Sequence, residues 1–318
     1  MSVDPRITHA FEAQNGFPLE PHLIVLALMG SHSHGTYMPP EEPDALDDVD
    51  LMGFAVPPLQ YHLGLPRWQH WRLQADELDV VIYSLDKAVR LLLKSNPNIV
   101  GLLWLRENEY VHRHATFELL RSRRAIFSSQ AAADAFAGYA ADELRRMQAF
   151  DLERMTEYEG LTAQIRARGP LAEVLEADTA KLEHIARHWR LPLETLTAFR
   201  KLHHEHFSGY MGEKRKAMVR KYHYDVKNAA HLIRLLRMGI EYLETGQLRV
   251  FRTDDADELT RIKRGAWTLA QVKAEAERLF GRIETARARS PLPERPDEAA
   301  ANALLIDVHR RVLGLTAR

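Results

Sequence analysis

Two aspartates one residue apart, Asp48 and Asp50, bracket Val49 at the head of an apolar run, VDLMGFAV. In an extended strand the side chains at i and i+2 share a face, so both carboxylates project together while Val49 turns the other way. From Tyr37 to Asp50 there are six acids (Glu41, Glu42, Asp44, Asp47, Asp48, Asp50) and no base. Such a pair is costly to keep ionised without a cation, and Mg²⁺ (or Mn²⁺), which takes hard oxygen ligands from one or two carboxylates plus substrate phosphates, is its natural occupant. Gly30-Ser31 follows an earlier apolar run. A glycine there lets the backbone approach a phosphate closely, and the Ser31 hydroxyl with nearby N–H groups can grip its oxygens. Asp79 shares a strand face with Val81 and Tyr83 and can approach the same cation if its strand pairs beside that of Asp50. A solvated acidic loop and an edge-strand carboxylate are the plainer readings of these acids.

A complementary charge lies late in the chain, where Arg200–Lys227 holds eight bases and three acids. Tyr224, Lys227, His231, Arg234 and Met238 recur at spacings of three and four and so share one helical face, opposite Ala229, Ile233, Leu236, Ile240 and Leu243. One face packs and the other offers cations. If that face closes over the acids, Lys227 and Arg234 meet phosphates, and His231 donates to the base, the sugar or a phosphate. The ordinary alternative is a solvated polar face. The acidic loop and the basic segment would then form one site, the first holding metal and the second phosphate.

The elements that must position these residues change character along the chain. Three apolar runs, His22–Leu28, Val49–Val56 and Leu78–Ser84, read as strands, and Leu85–Lys94 reads as a helix ended by Asn96-Pro97. From about Ala131 the period becomes helical, broken at Arg168-Gly169-Pro170 and Leu191-Pro192, with a linker Arg289–Pro296 before a last helix. The expected architecture is an α/β (α+β) domain on a small mixed sheet over residues 1–128. A mostly helical domain, 129–318, closes over the site. The composition fits: 318 residues, 46% hydrophobic and 27% charged, describe a globular chain able to bury a core. It has no cysteine, which excludes a disulfide framework, a thiolate metal site and a catalytic thiol. A net charge of −1 gives no global pull on nucleic acid, so any such contact is local. Leu23–Met29 is too short to span a bilayer, so no membrane partner and a cytoplasmic location are expected. The tryptophans are scattered and read as packing residues.

Competing motifs fail on spacing. His204-Glu205 would need a histidine where Ser208 stands, and His184 and His188 lack the intervening glutamate of a zinc helix. Gly30 and Gly35 have P-loop spacing, but Thr36-Tyr37 follows in place of Lys-Ser/Thr. His32 and His34 read as loop residues or hydrogen-bond partners.

The Gly30-Ser31 turn, the later Asp48-Val49-Asp50 followed by an apolar residue, and a third acid, Asp79, on a neighbouring strand resemble the DNA polymerase beta superfamily of nucleotidyltransferases. More narrowly, three elements in order, Gly30-Ser31…Asp47-Asp48-Val49-Asp50-Leu51-Met52-Gly53, Lys94-Ser95-Asn96-Pro97-Asn98 leading to Leu102-Leu103-Trp104, and Lys227-Asn228-Ala229-Ala230-His231-Leu232-Ile233-Arg234-Leu235-Leu236, resemble a family of predicted nucleotidyltransferases associated with RNA ligases, from about His22 to Gly246. The long gap between Ser31 and Asp48, with its acidic insert Glu41–Leu46, departs from the superfamily pattern. The resemblance implies that Asp48 and Asp50 bind two Mg²⁺ ions with the triphosphate. It implies that Asp79 binds metal on the acceptor side and receives the acceptor's proton, and that Gly30, Ser31, Lys227, His231 and Arg234 hold the nucleotide. The reaction implied is transfer of a nucleoside monophosphate from an NTP to an acceptor, an RNA end being one candidate. A non-catalytic nucleotide- or RNA-binding scaffold, and a transferase acting on a small molecule or a protein, are the alternatives. The sequence names neither the acceptor, the preferred NTP nor the oligomeric state.

Overall fold

The computed structural model describes residues 3–42, 45, 47–75, 77–149, 152–204 and 213–315. Asp44 and Leu46 of the acidic insert, and Glu205 and Ser208, lie outside the described residues. Five strands form one mixed sheet: β1 (Leu23–Leu28), β2 (Val49–Ala55), β3 (His70–Ala75), β4 (Leu78–Ser84) and β5 (Tyr110–Arg113), in the order β3-β4-β2-β1-β5. Only β2 and β4 run parallel. The three expected strands are present, and β3 and β5 are additional to them.

Alternation along the strands sorts two faces. Leu51, Ala55, Trp71, Val80 and Ile82 point to one side and pack with Ile7 and Phe11 of the helix Pro5–Asn15. That helix starts cleanly because Asp4 accepts a hydrogen bond from the Arg6 N–H at 2.8 Å and proline occupies its first turn. On the other side Phe54, with Met52 and Tyr83 partly buried, packs under the helix Leu85–Leu93 and the helices that follow.

The remainder is mostly helical, as the change of period near Ala131 predicts. The helix Val226–Thr245 is central: it packs against Ala131–Ala149, Ala256–Lys263 and Leu269–Ala288, while the last helix, Glu298–Val312, returns onto Leu85–Leu93. Asp225 caps the central helix by accepting from the Asn228 N–H at 3.1 Å, and Gly246 ends it in the left-handed region. Its Gly239 lies against Phe136, where a Cβ would come within 2.7 Å of the Phe136 Cβ, so the two helices approach through a missing side chain. One apolar core runs from the sheet into these helices. A separate cluster, Met155, Ile165, Val174, Ile185, Leu196, Phe199 and Val219 among it, fills the helices between Leu152 and Tyr222. Among the described residues no helix is long and apolar enough to cross a membrane.

Candidate active site

The parallel pairing of β2 with β4 sets Asp50 directly beside Asp79. Both point to the face that, further along the strands, packs Phe54 and Tyr83 under the helices. The acids thus stand where that face emerges from beneath the helical core. Asp48 precedes β2 by one residue and is exposed at the same mouth.

Gly30 makes the approach to Asp50 possible. It opens a short helical turn, Gly30–His34, with φ +57°, and an ideal Cβ on it would sit 1.9 Å from Asp50 Oδ2. An L-residue is penalised there both by the left-handed backbone and by direct overlap. The Met29 N–H donates to the Asp50 carbonyl at 2.8 Å, and the Ser33 hydroxyl donates to the Gly30 carbonyl at 3.0 Å, which stitches the turn to β2.

The opposite wall of the cavity, about 410 Å³, is the central helix. Lys227, His231 and Arg234 line it at spacings of four and three, facing Gly30, Ser31, Asp48, Asp50 and Asp79. The structure therefore brings together every residue that the sequence singled out for the site. Of the two readings of their helix, it favours the face closed over the acids against the solvated one. Val226–Thr245 is buried on nearly all sides, Met238 included, and its cationic face looks into the cavity instead of bulk water. Tyr224 lies before the helix and donates its hydroxyl proton to the Trp267 carbonyl at 2.5 Å.

Electrostatics distinguish these groups. Burial pushes Asp50 up to about 6, the charges of Asp79, Asp48 and Asp47 adding to the effect and Lys227 opposing it. Arg234 is only 9% exposed, and burial, reinforced by Arg252, brings it down to about 10 against the pull of Glu143 and Asp255. Among the described residues its one hydrogen bond is to the Met238 sulfur, at 3.2 Å, and no carboxylate pairs with it. A desolvated guanidinium of this kind is suited to receiving an anion. His231 is held well below its usual value by burial and by Arg234 and Lys227, so it is neutral at pH 7.

Three further residues join the site, of which Lys263 carried no sequence signal. Asp47, its side chain 1% exposed, accepts from the Met38 N–H at 2.9 Å, pairs with Lys263 and lies 3.7 Å from Lys227 Nζ. Lys263, from the helix Ala256–Lys263, also donates to the Thr36 carbonyl at 2.8 Å. Glu42 pairs with Arg264 beside it. The acidic segment is thus anchored to Lys227, as its charge suggests, and more firmly to Lys263 and Arg264 at the end of the helix Ala256–Lys263. His34, the third, is buried with Nδ1 3.2 Å from the Val250 carbonyl. His32 stacks on Tyr37, ring centroids 3.7 Å apart.

Asp48 and Asp50 are hard oxygen donors suited to a divalent cation whose remaining positions are filled by phosphate and water. The Asp79 oxygens are engaged: Arg72 donates to them at 2.9 and 2.6 Å and Gln74 at 3.4 Å. Among the described residues no three His, Asp or Glu side chains converge closely enough to hold a metal by themselves. Asp48 and Asp50 would hold a divalent cation only with further ligands from outside this set.

A comparison with curated proteins gives no significant match. Among solved structures, the nucleotidyltransferase-like protein from Exiguobacterium sibiricum 255-15 is similar over 97% of this chain and 77% of its own, at 11% identity. Its TM-score of 0.25 is too low to carry an argument. Residues 8–159 match the RNA repair pathway DNA polymerase beta family, RlaP. That stretch contains the sheet, the glycine turn and all three carboxylates, and stops short of the central helix. Over this stretch, just under half of its length, the chain is similar to the polymerase beta nucleotidyltransferases.

Proposed function

We propose that the protein is a divalent-metal-dependent enzyme that transfers a nucleoside monophosphate from an NTP to an acceptor hydroxyl, with an RNA end as the acceptor. The observation that carries this reading is the pairing of Asp50 with Asp79 over Gly30, across one cavity from a buried arginine that has no carboxylate partner among the described residues. The acceptor oxygen bonds to the α-phosphorus, the bond from that phosphorus to the bridging oxygen breaks, and pyrophosphate leaves. Mg²⁺ or Mn²⁺ on Asp48 and Asp50 would neutralise charge developing on the phosphates. Arg234 and Lys227 bind the triphosphate oxygens, the first as a fork and the second as a point charge. Gly30 and Ser31 offer backbone and hydroxyl contacts. Asp79, once Arg72 releases it, receives the acceptor's proton. Neutral His231 can donate to the base, the sugar or a phosphate. The helical half, residues 129–318, serves as the phosphate-binding wall.

The hydrogen-bonded hold of Arg72 on Asp79 favours a second reading, a nucleotide-binding scaffold without turnover. Incubation with each labelled NTP and Mg²⁺ or Mn²⁺, with RNA, small-molecule extract or protein as acceptor, separates the two. Label transfer with pyrophosphate release in the wild type, lost in Asp50→Asn, supports the enzyme. NTP binding with neither product supports the scaffold. Transfer to a small molecule or a protein alone replaces the RNA acceptor.

A further inference from the structure

The sheet face that carries the carboxylates continues beyond the cavity. The β3–β4 register sets Gln74 beside Asp79, Arg72 beside Val81 and His70 beside Tyr83. Cross-strand partners share a face, so the edge strand extends that face outward. Asp79, Val81 and Tyr83 line the cavity, whereas Arg72 and His70 are exposed past its rim. The His70 ring lies nearly parallel to that of Tyr83, at 22° with centroids 6.1 Å apart. Partial desolvation, with the charge of Lys87, lowers His70 from its usual value, so its ring is neutral at pH 7.

Cations flank these rings. Lys87, from the helix Leu85–Leu93, places Nζ 5.2 Å from the Tyr83 ring centroid and 3.3 Å from His70 Nδ1. Lys94 lies two helical turns on, on the same side, and is exposed. Neither lysine has a carboxylate within ion-pair distance among the described residues, while the neighbouring Asp86 is shared with Arg90 at 4.0 Å. Arg72 forms the inner end, its guanidinium on Asp79. Asp79 and the exposed Glu77 at the β3–β4 turn are the acids at that end. A small acceptor would be held within the cavity and has no use for a strip outside it. Aromatic rings interleaved with two lysines that have no carboxylate partner among the described residues, leading past Arg72 to a catalytic carboxylate, match the way single-stranded nucleic acid is gripped.

We propose that His70, Arg72, Tyr83, Lys87 and Lys94 form a track that binds a single-stranded polynucleotide and leads its end to Asp79, bases lying on the rings and phosphates against the cations. The delivery to Asp79 rests on the transferase reading; the binding does not. The test measures binding of a fluorescein-labelled single-stranded RNA by anisotropy to the full chain, without NTP, across a salt series. NTP binding with Mg²⁺ is titrated in parallel. Three phosphate contacts give a log–log salt slope of about −2, at about −0.7 per phosphate. The double variant Lys87→Ala with Lys94→Ala is expected to reduce that slope by about 1.4. His70→Ala is expected to weaken RNA binding about tenfold, and His70→Phe to retain it, as stacking requires. The proposal is overturned if the wild type binds no RNA, or if these variants bind it like the wild type. It also fails if polyphosphate or polyglutamate of equal charge displaces RNA as well as unlabelled RNA does. Lost RNA binding with unchanged NTP affinity in the variants assigns the strip to the strand. A wild type that binds RNA but no NTP keeps the strip and refutes the transferase reading.

Discussion

Replacing Asp50 by Asn keeps the shape of the side chain while removing its charge. In the metal-free protein Asp50 titrates at about 6 against 3.8 in the unfolded chain, chiefly because it is buried. At about 1.4 kcal/mol per pH unit, ionising it in the folded state costs about 3 kcal/mol. The group's folded value is raised, so its favourable contribution is complete below the unfolded value and is lost as pH rises through about 6. In EDTA at pH 7.5, Asp50→Asn is therefore expected to be more stable than the wild type by about 3 kcal/mol, a gain that shrinks to about 1 kcal/mol at pH 4.5. With an unfolding entropy of about 2 cal/mol/K per residue, the larger figure is a rise in Tm of about 4–5 °C, readable by calorimetry or thermal circular dichroism. Adding Mg²⁺ with NTP should raise the Tm of the wild type and leave that of the variant in place, since binding stabilises only a chain that binds. An Asn variant no more stable than the wild type at pH 7.5, or a gain that does not diminish at pH 4.5, would refute the account of Asp50 as a carboxylate held at a cost for a cation.

Gly30→Ala is expected to lose about 1–2 kcal/mol to its left-handed backbone and to displace Asp50, abolishing Mg²⁺-dependent NTP binding in calorimetric titration. Unchanged NTP affinity would break the link between the turn and the carboxylate. Lys263→Met leaves the buried Asp47 with the more distant Lys227 as its one neighbouring cation among the described residues, and urea unfolding should show a loss of about 3 kcal/mol, largely restored by adding Asp47→Asn. Equal losses in single and double variants would mean that packing, not charge pairing, matters there. Arg234→Ala should weaken binding of a non-hydrolysable NTP by about 1–3 kcal/mol in titration with Mg²⁺. Wild-type affinity would remove this residue from the phosphate wall while leaving the acids untouched.

Strands β1, β2 and β4 were legible because each is an apolar run buried on at least one face. β3 was not: in HWRLQA only Trp71 and Leu73 face a core, and the edge position leaves the other residues exposed. β5, four residues long, is a strand by virtue of pairing with β1. The juxtaposition of Asp50 and Asp79 followed from the two-residue period of adjacent strands, which is a local property. The fate of Arg234 did not. Helical spacing shows that Lys227, His231 and Arg234 share a face, but only packing decides whether that face meets water or a cavity. Lys263 lies further from reach still, because a basic residue at the end of an amphipathic helix is ordinarily solvated, and its burial depends on a loop over 200 residues earlier in the chain.

The missing side chain at Gly239 acts as a spacer setting for the whole site. The central helix carries Lys227 and Arg234 on rigid backbone, and its seat against Ala131–Ala149 is fixed by how near Gly239 comes to Phe136. A methyl group there, at least a turn away from any residue proposed to meet phosphate, would lift the helix and widen the gap between the cations and the carboxylates. Such a change would leave each charged group intact and alter only the length of phosphate chain they can span together. On the proposed reading, the width of the cleft, and with it any discrimination between a triphosphate and a shorter or longer anion, would depend on an apolar contact as well as on the polar residues.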